Sequence, residues 1–112
     1  EILYEYMASA EGLSEWFADD VIEKGDDFFF SWNGGPGEKA TLIRYKPESF
    51  VRYRWEEDEG SKNYFEMTIV IDDITDDLAL IVTDFCDPGD EVENQLYWEN
   101  LIENLRLKLG AT

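Results

Sequence analysis

The sequence predicts one α+β domain: a curved antiparallel sheet held against a single long C-terminal helix, with two short helices ahead of the sheet and an apolar cavity between the sheet and the long helix. Three observations carry this expectation. Turn-forming residues punctuate the middle of the chain at regular intervals, as in consecutive hairpins. Between those turns, apolar and polar residues alternate with a period of two. After Pro88 and Gly89 the period becomes helical and stays so almost to the end.

Residues 1–8 carry helical spacing, with Leu3 and Met7 on one side. Ser9 can cap a second short helix, with Glu11 in its first turn. That helix sets Leu13, Trp16 and Phe17 on one side and should stop near Asp19.

Six strands follow. The first, 21–24, is short and polar. The second, 27–32, ends in the turn Asn33-Gly34-Gly35-Pro36-Gly37. The third, 39–46, leads to a turn at Pro47-Glu48, and the fourth, 50–56, ends in an acidic loop. Residues 64–71 and 78–85 form a final hairpin across an Asp-rich turn. Strand parity groups Val51, Tyr53 and Trp55 on one face against Arg52 and Arg54 on the other. Phe65, Met67, Ile69 and Ile71 form a matching row, and Leu78, Leu80 and Val82 share a face with Asp84. One concave face is therefore apolar and aromatic. On the other, Arg44, Lys46, Arg52 and Arg54 can ladder with acids such as Glu66.

The last helix, 90–109, carries acids first and Arg106 and Lys108 last, with Gly110 as its C-cap. Trp98, Leu101, Ile102, Leu105 and Leu109 form one stripe. Glu91, Asn94 and Gln95 extend it toward the N-terminus. The gradient predicts a packed interior at one end and a hydrated opening at the other. Val92, Leu96 and Leu107 lie off the stripe, as single surface apolars or as part of a self-association surface.

Composition bounds the function. The chain has 112 residues, which suits one domain, and its 44% hydrophobic and 15% aromatic content supplies a core. Nine basic against 27 acidic residues give a net charge of −18. Such a surface repels phosphate backbones and anionic lipid faces, so neither nucleic acid nor membrane is an expected partner. No apolar run approaches a membrane span, and no secretory signal is visible. The chain opens at Glu1 rather than Met, which leaves room for residues upstream. Cys86 stands alone, so no intrachain disulfide forms, and a reduced, cytoplasmic setting is expected. Histidine is absent, which removes every mechanism that needs an imidazole.

The main constellation is aromatic: Trp16, Phe28, Phe30, Trp32, Tyr53, Trp55, Phe65 and Trp98. Such residues wall a pocket for an apolar or aromatic molecule, and they equally fill a core. Asp84 shares inward parity with its strand, as a pocket anchor or as a strand-end residue bonded to the next turn. Glu91 and Asn94 are placed at the same opening. The acid runs 56–59 and 72–77 lack EF-hand spacing, and no metal or cofactor is expected. Residues 33–37 are no phosphate loop, because the lysine and following helix are missing. Cys86 has no basic neighbour to make it a catalytic thiolate.

Four segments in order resemble a known family. They are Gly12-Leu13-Ser14-Glu15-Trp16-Phe17-Ala18, Phe30-Ser31-Trp32, the stretch from Pro47 to Trp55, and Trp98-Glu99-Asn100-Leu101-Ile102-Glu103-Asn104-Leu105. Together they resemble the START-like (SRPBCC, helix-grip) domains, and within them the branch named for activators of the heat-shock-protein ATPase. The resemblance implies a helix-grip fold over nearly the whole chain. It also implies a strand ahead of the first helix, which this chain does not contain, so one sheet edge is expected to lie open or to be covered by another chain, as in a homodimer. The family's polar segment near the last strand often bears histidine; here it reads Thr83-Asp84-Phe85-Cys86-Asp87.

The leading functional expectation is non-catalytic binding of a small hydrophobic or aromatic ligand between sheet and long helix. Its site residues are Trp16, Phe30, Trp32, Tyr53, Trp55, Phe65, Met67, Asp84, Glu91, Trp98 and Leu101. Two alternatives stay open. One is a co-chaperone-like module that engages a basic protein partner, as the resemblance implies. The other is a weak cyclase- or hydrolase-type enzyme using Asp84, Glu91 or a pocket tyrosine.

Overall fold

The computed structural model describes residues 2–110. Helices α1 (Ile2–Ala8) and α2 (Ala10–Trp16) lead into strands β1 (Asp20–Lys24), β2 (Asp27–Ser31), β3 (Glu38–Lys46), β4 (Phe50–Trp55), β5 (Phe65–Ile71) and β6 (Leu78–Thr83). One 3-10 turn, Glu56–Asp58, follows β4, and α3 (Glu91–Lys108) comes last. The six strands form one sheet in chain order, each antiparallel to the next.

Local chemistry sets the elements. Ser9 Oγ accepts the Gly12 N–H at 3.0 Å and donates to the Glu5 carbonyl at 2.8 Å, so one hydroxyl ends α1 and starts α2. The helices touch closely there: a Cβ on Gly12 would lie 2.3 Å from the Glu5 carbonyl oxygen. Gly25 takes φ +62° in the two-residue turn between β1 and β2, a conformation that costs glycine little. A register shift between Leu42 and Arg44 bends β3. Acids open α3 and Arg106 and Lys108 close it, as the helix dipole favours.

Parity places the core as expected. Val51 pairs with Met67, Tyr53 with Phe65, and Met67 with Val82, so one concave apolar face runs across β4, β5 and β6. On the convex face Arg52 Nε meets Glu66 Oε1 at 2.7 Å, and its guanidinium lies 4.1 Å from the Tyr64 ring centre. From α3, Trp98, Leu101 and Leu105 are buried. Leu109 is a correction: it caps α3 at the surface and seals nothing, because the buried stripe ends one turn earlier.

The interior is more filled than the alternation implied. Phe17, the C-cap of α2, is 2% exposed. Its ring centre lies 5.3 Å from Phe30, 5.6 Å from Phe65 and 5.8 Å from Trp98. One phenyl ring thus occupies the space between sheet and long helix where a cavity was expected. Among the described residues, no strand pairs with the outer edge of β6. That edge carries exposed Leu78 and Ile81, with Ile71 and Val70 beside it on β5.

Candidate ligand-binding site

Open space lies at the mouth of the grip, above Phe17. Period-two spacing builds its aromatic wall. Phe28 and Phe30 of β2 are buried, and Trp32, two residues on, emerges half-buried at the strand's end. Val51 and Tyr53 of β4 are likewise buried, and Trp55 emerges beside Trp32, ring centres 6.5 Å apart. The Trp32 indole N–H donates to the Phe17 carbonyl at 3.1 Å, fixing wall to floor. Helix α3 supplies the opposite wall through Asn94, Tyr97 and Trp98. Glu38, the first residue of β3, and Asp84, just past β6, complete the rim of a depression of about 420 Å³.

Asp84 organises this rim. Its Oδ2 accepts the Trp98 indole N–H at 2.8 Å and the Asn94 side-chain amide at 3.3 Å, and its Oδ1 accepts the Phe85 N–H at 2.8 Å. The carboxylate is thus held by three donors, none of them a cation. Tyr97 ionises above its ordinary value, first because it is buried and then because Asp84 and Glu38 repel a phenolate.

Of the residues expected at the site, the structure brings Trp32, Trp55, Asp84 and Trp98 together at the mouth. Phe30, Tyr53, Phe65 and Met67 are corrections: they are buried in the core, packed on one another and on Phe17, and do not line the opening. Trp16 and Leu101 line an adjoining depression of about 440 Å³ between α2 and α3, which shares Phe17, Trp32 and Tyr97 with the mouth. Glu91 is also corrected. It is exposed and turns back to accept the Gly89 N–H at 2.9 Å, away from the mouth. Asn94 stands at the opening as expected.

Phe17, Glu38 and Tyr97 were not among the expected site residues. Glu38 was reachable from the sequence, since it pairs with Phe30 across the glycine-rich turn. Tyr97 lies three residues beyond Asn94 on one helix face. Phe17 was placed on the apolar side of the second helix, but how far its ring reaches depends on how α2 tilts over the sheet.

Comparison with known proteins follows this geometry. A family model described as a START-like superfamily domain matches residues 1–111. The chain belongs to the START-like superfamily. START-like domains commonly bind hydrophobic ligands. No functionally curated protein matches the sequence. A Bacteroides fragilis protein solved by solution NMR is similar at 28% identity and a TM-score of 0.69, with 96% of this chain and 79% of that one covered. A Staphylococcus saprophyticus protein solved by X-ray crystallography shares the fold at 12% identity and a TM-score of 0.69, with 100% of this chain and 85% of that one covered. Among the described residues of this START-like domain, no helix is long and apolar enough to cross a membrane.

Proposed function

We propose that this START-like domain is a non-catalytic binding module that takes one small apolar or aromatic molecule at the mouth between sheet and α3. The observation that carries the reading is the aromatic enclosure. Trp32, Trp55 and Trp98 wall about 420 Å³ of open space over Phe17, while Asp84 and Asn94 offer a few polar anchors at one side. A concave site that combines aromatic walls with a few convergent polar groups is a usual form of a small-molecule site. The non-catalytic reading rests on Asp84 and on Cys86 nearby in sequence. Each Asp84 oxygen already holds at least one hydrogen bond. The Cys86 thiol is pushed up by desolvation and by Glu91, Asp90, Asp84 and Asp87, which works against a reactive thiolate.

The test is NMR titration of the indole N–H signals with a neutral aromatic compound such as 2-naphthol. Shifts concentrated at Trp32, Trp55 and Trp98, and weakened by Trp55→Ala, support the site. Saturating compound with no movement at those three indoles overturns it.

The order of the four family-like segments supports a second reading, membership in the heat-shock-ATPase-activator branch with a protein partner. The acidic exterior makes that partner basic. A pull-down that weakens as salt rises supports this reading; no basic partner retained at low ionic strength removes it.

A further inference from the structure

We infer that the molecule held at the mouth is an organic cation: a small ammonium compound, seated with its charged head against the indole rings and the Asp84 carboxylate. The inference rests on the reading above and specifies its ligand class.

The charge pattern of the rim is the first argument. Two carboxylates, Asp84 and Glu38, border the mouth, and no lysine or arginine lines it. Among the described residues the ion pairs Arg52–Glu66, Arg106–Glu103 and Lys108–Glu15 all lie elsewhere. Two other depressions of similar size differ in this respect. The one between α2 and α3 contains Lys108 beside Glu15, and the one between β6 and α3 contains Arg106 beside Glu103. Each of those has a cation of its own. The mouth has negative charge, donors that hold Asp84 in place, and no counter-charge.

The walls are the second argument. Indole faces attract cations through the ring quadrupole more strongly than other aromatic side chains do, and the attraction grows once water is displaced. Here Trp32, Trp55 and Trp98 gather with Tyr97 around one space, with the Trp98 and Tyr97 ring centres 5.9 Å apart. A neutral apolar guest would use the rings and leave the two negative charges of the rim without a counter-charge. An ammonium uses rings and carboxylates together. Tyr97 lines the same space as Asp84 and Glu38. The net charge of −18 raises the local concentration of any cation.

The experiment compares choline with its neutral carbon isostere, 3,3-dimethylbutan-1-ol, on the full chain, following the indole and backbone N–H signals. Choline should bind at least about tenfold more tightly, and its advantage should shrink in 0.5 M NaCl, which screens both carboxylates. Glu38→Gln should weaken choline severalfold and leave the isostere unchanged. Asp84→Asn should do so more strongly. If that variant loses its dispersed spectrum, Glu38→Gln, at an exposed strand start, decides alone. Equal or tighter binding of the isostere overturns the cation inference and leaves the apolar-ligand reading standing. Choline shifts spread evenly over residues 56–59 and 72–77, with no preference for the mouth, overturn the inference as counter-ion attraction. No mouth signal moving with either compound overturns both.

Discussion

The phenol of Tyr53 donates to the carbonyl of Met7 at 2.7 Å in the buried interior, tying β4 to α1 across 46 positions of sequence. Burial, aided by Glu23 and Tyr4, drives the Tyr53 phenol far above its ordinary ionisation range, so it remains a donor at any physiological pH. Tyr53→Phe leaves the Met7 carbonyl buried without this partner. The expected cost is about 1–3 kcal/mol in denaturant unfolding, with a native spectrum retained. A change below the error of the fit would mean that water reaches the carbonyl.

Gly12 gives a steeper test. A Cβ there would meet the Glu5 carbonyl oxygen at 2.3 Å and the Tyr6 Cα at 2.6 Å, both backbone atoms that cannot swing aside. Gly12→Ala should therefore destabilise by about 1–3 kcal/mol, although alanine is the better helix former. A neutral or stabilising effect would show that α1 can slide over α2.

Much of this was legible in the sequence, and the illegible part has a physical reason. Alternation in β4 and β5 assigned Tyr53 and Phe65 to the inner face, and the register pairs them. Alternation gives a direction, however, and not a depth. Tyr53 and Trp55 share one parity, yet the first is sealed in the core and the second stands at the mouth. Depth depends on what covers the face: α1 lies over Tyr53, whose hydroxyl reaches the Met7 carbonyl, while Trp55 meets only Phe17 from α2, ring centres 6.5 Å apart, at the floor of the mouth. Glu91 failed for a related reason. Helical spacing placed it on the correct stripe, but the Gly89 N–H drew its carboxylate back to the preceding loop.

The turn between β5 and β6 predicts a pH dependence. Asp72 Oδ1 accepts the backbone N–H groups of Ile74 at 2.8 Å and Thr75 at 3.1 Å. Those bonds, Thr75 first, hold its carboxyl below the ordinary value of 3.8. A depressed folded-state pKa stabilises above the unfolded value and loses that contribution as pH falls through the folded value. The stability difference between the parent and Asp72→Asn should therefore fall steadily in the parent's disfavour as pH drops below about 4. A pH-independent difference by chemical denaturation would contradict this.

Among the described residues the outer edge of β6 has no partner strand, and this predicts a solution property of the 112-residue chain. Ile81 is 53% exposed on the convex face, beside Ala79 and across from Thr68. The segment Leu78–Thr83 contains no charge and no proline to discourage strand pairing. Ile81→Lys should slow heat-induced aggregation, read by light scattering, while changing unfolding free energy by no more than about 0.5 kcal/mol. Unchanged aggregation would place the adhesive surface elsewhere.

The plugging of the grip by Phe17 has a consequence for which positions tolerate change. Because stacked rings fill the floor, folding free energy is stored below the mouth, in Phe17, Phe30 and Phe65. The rim positions Glu38, Asn94 and Tyr97 stand half in water and hold little of it. Substitutions at these rim positions should therefore cost little folding free energy. The mouth can be altered in chemistry while the floor beneath it keeps the fold.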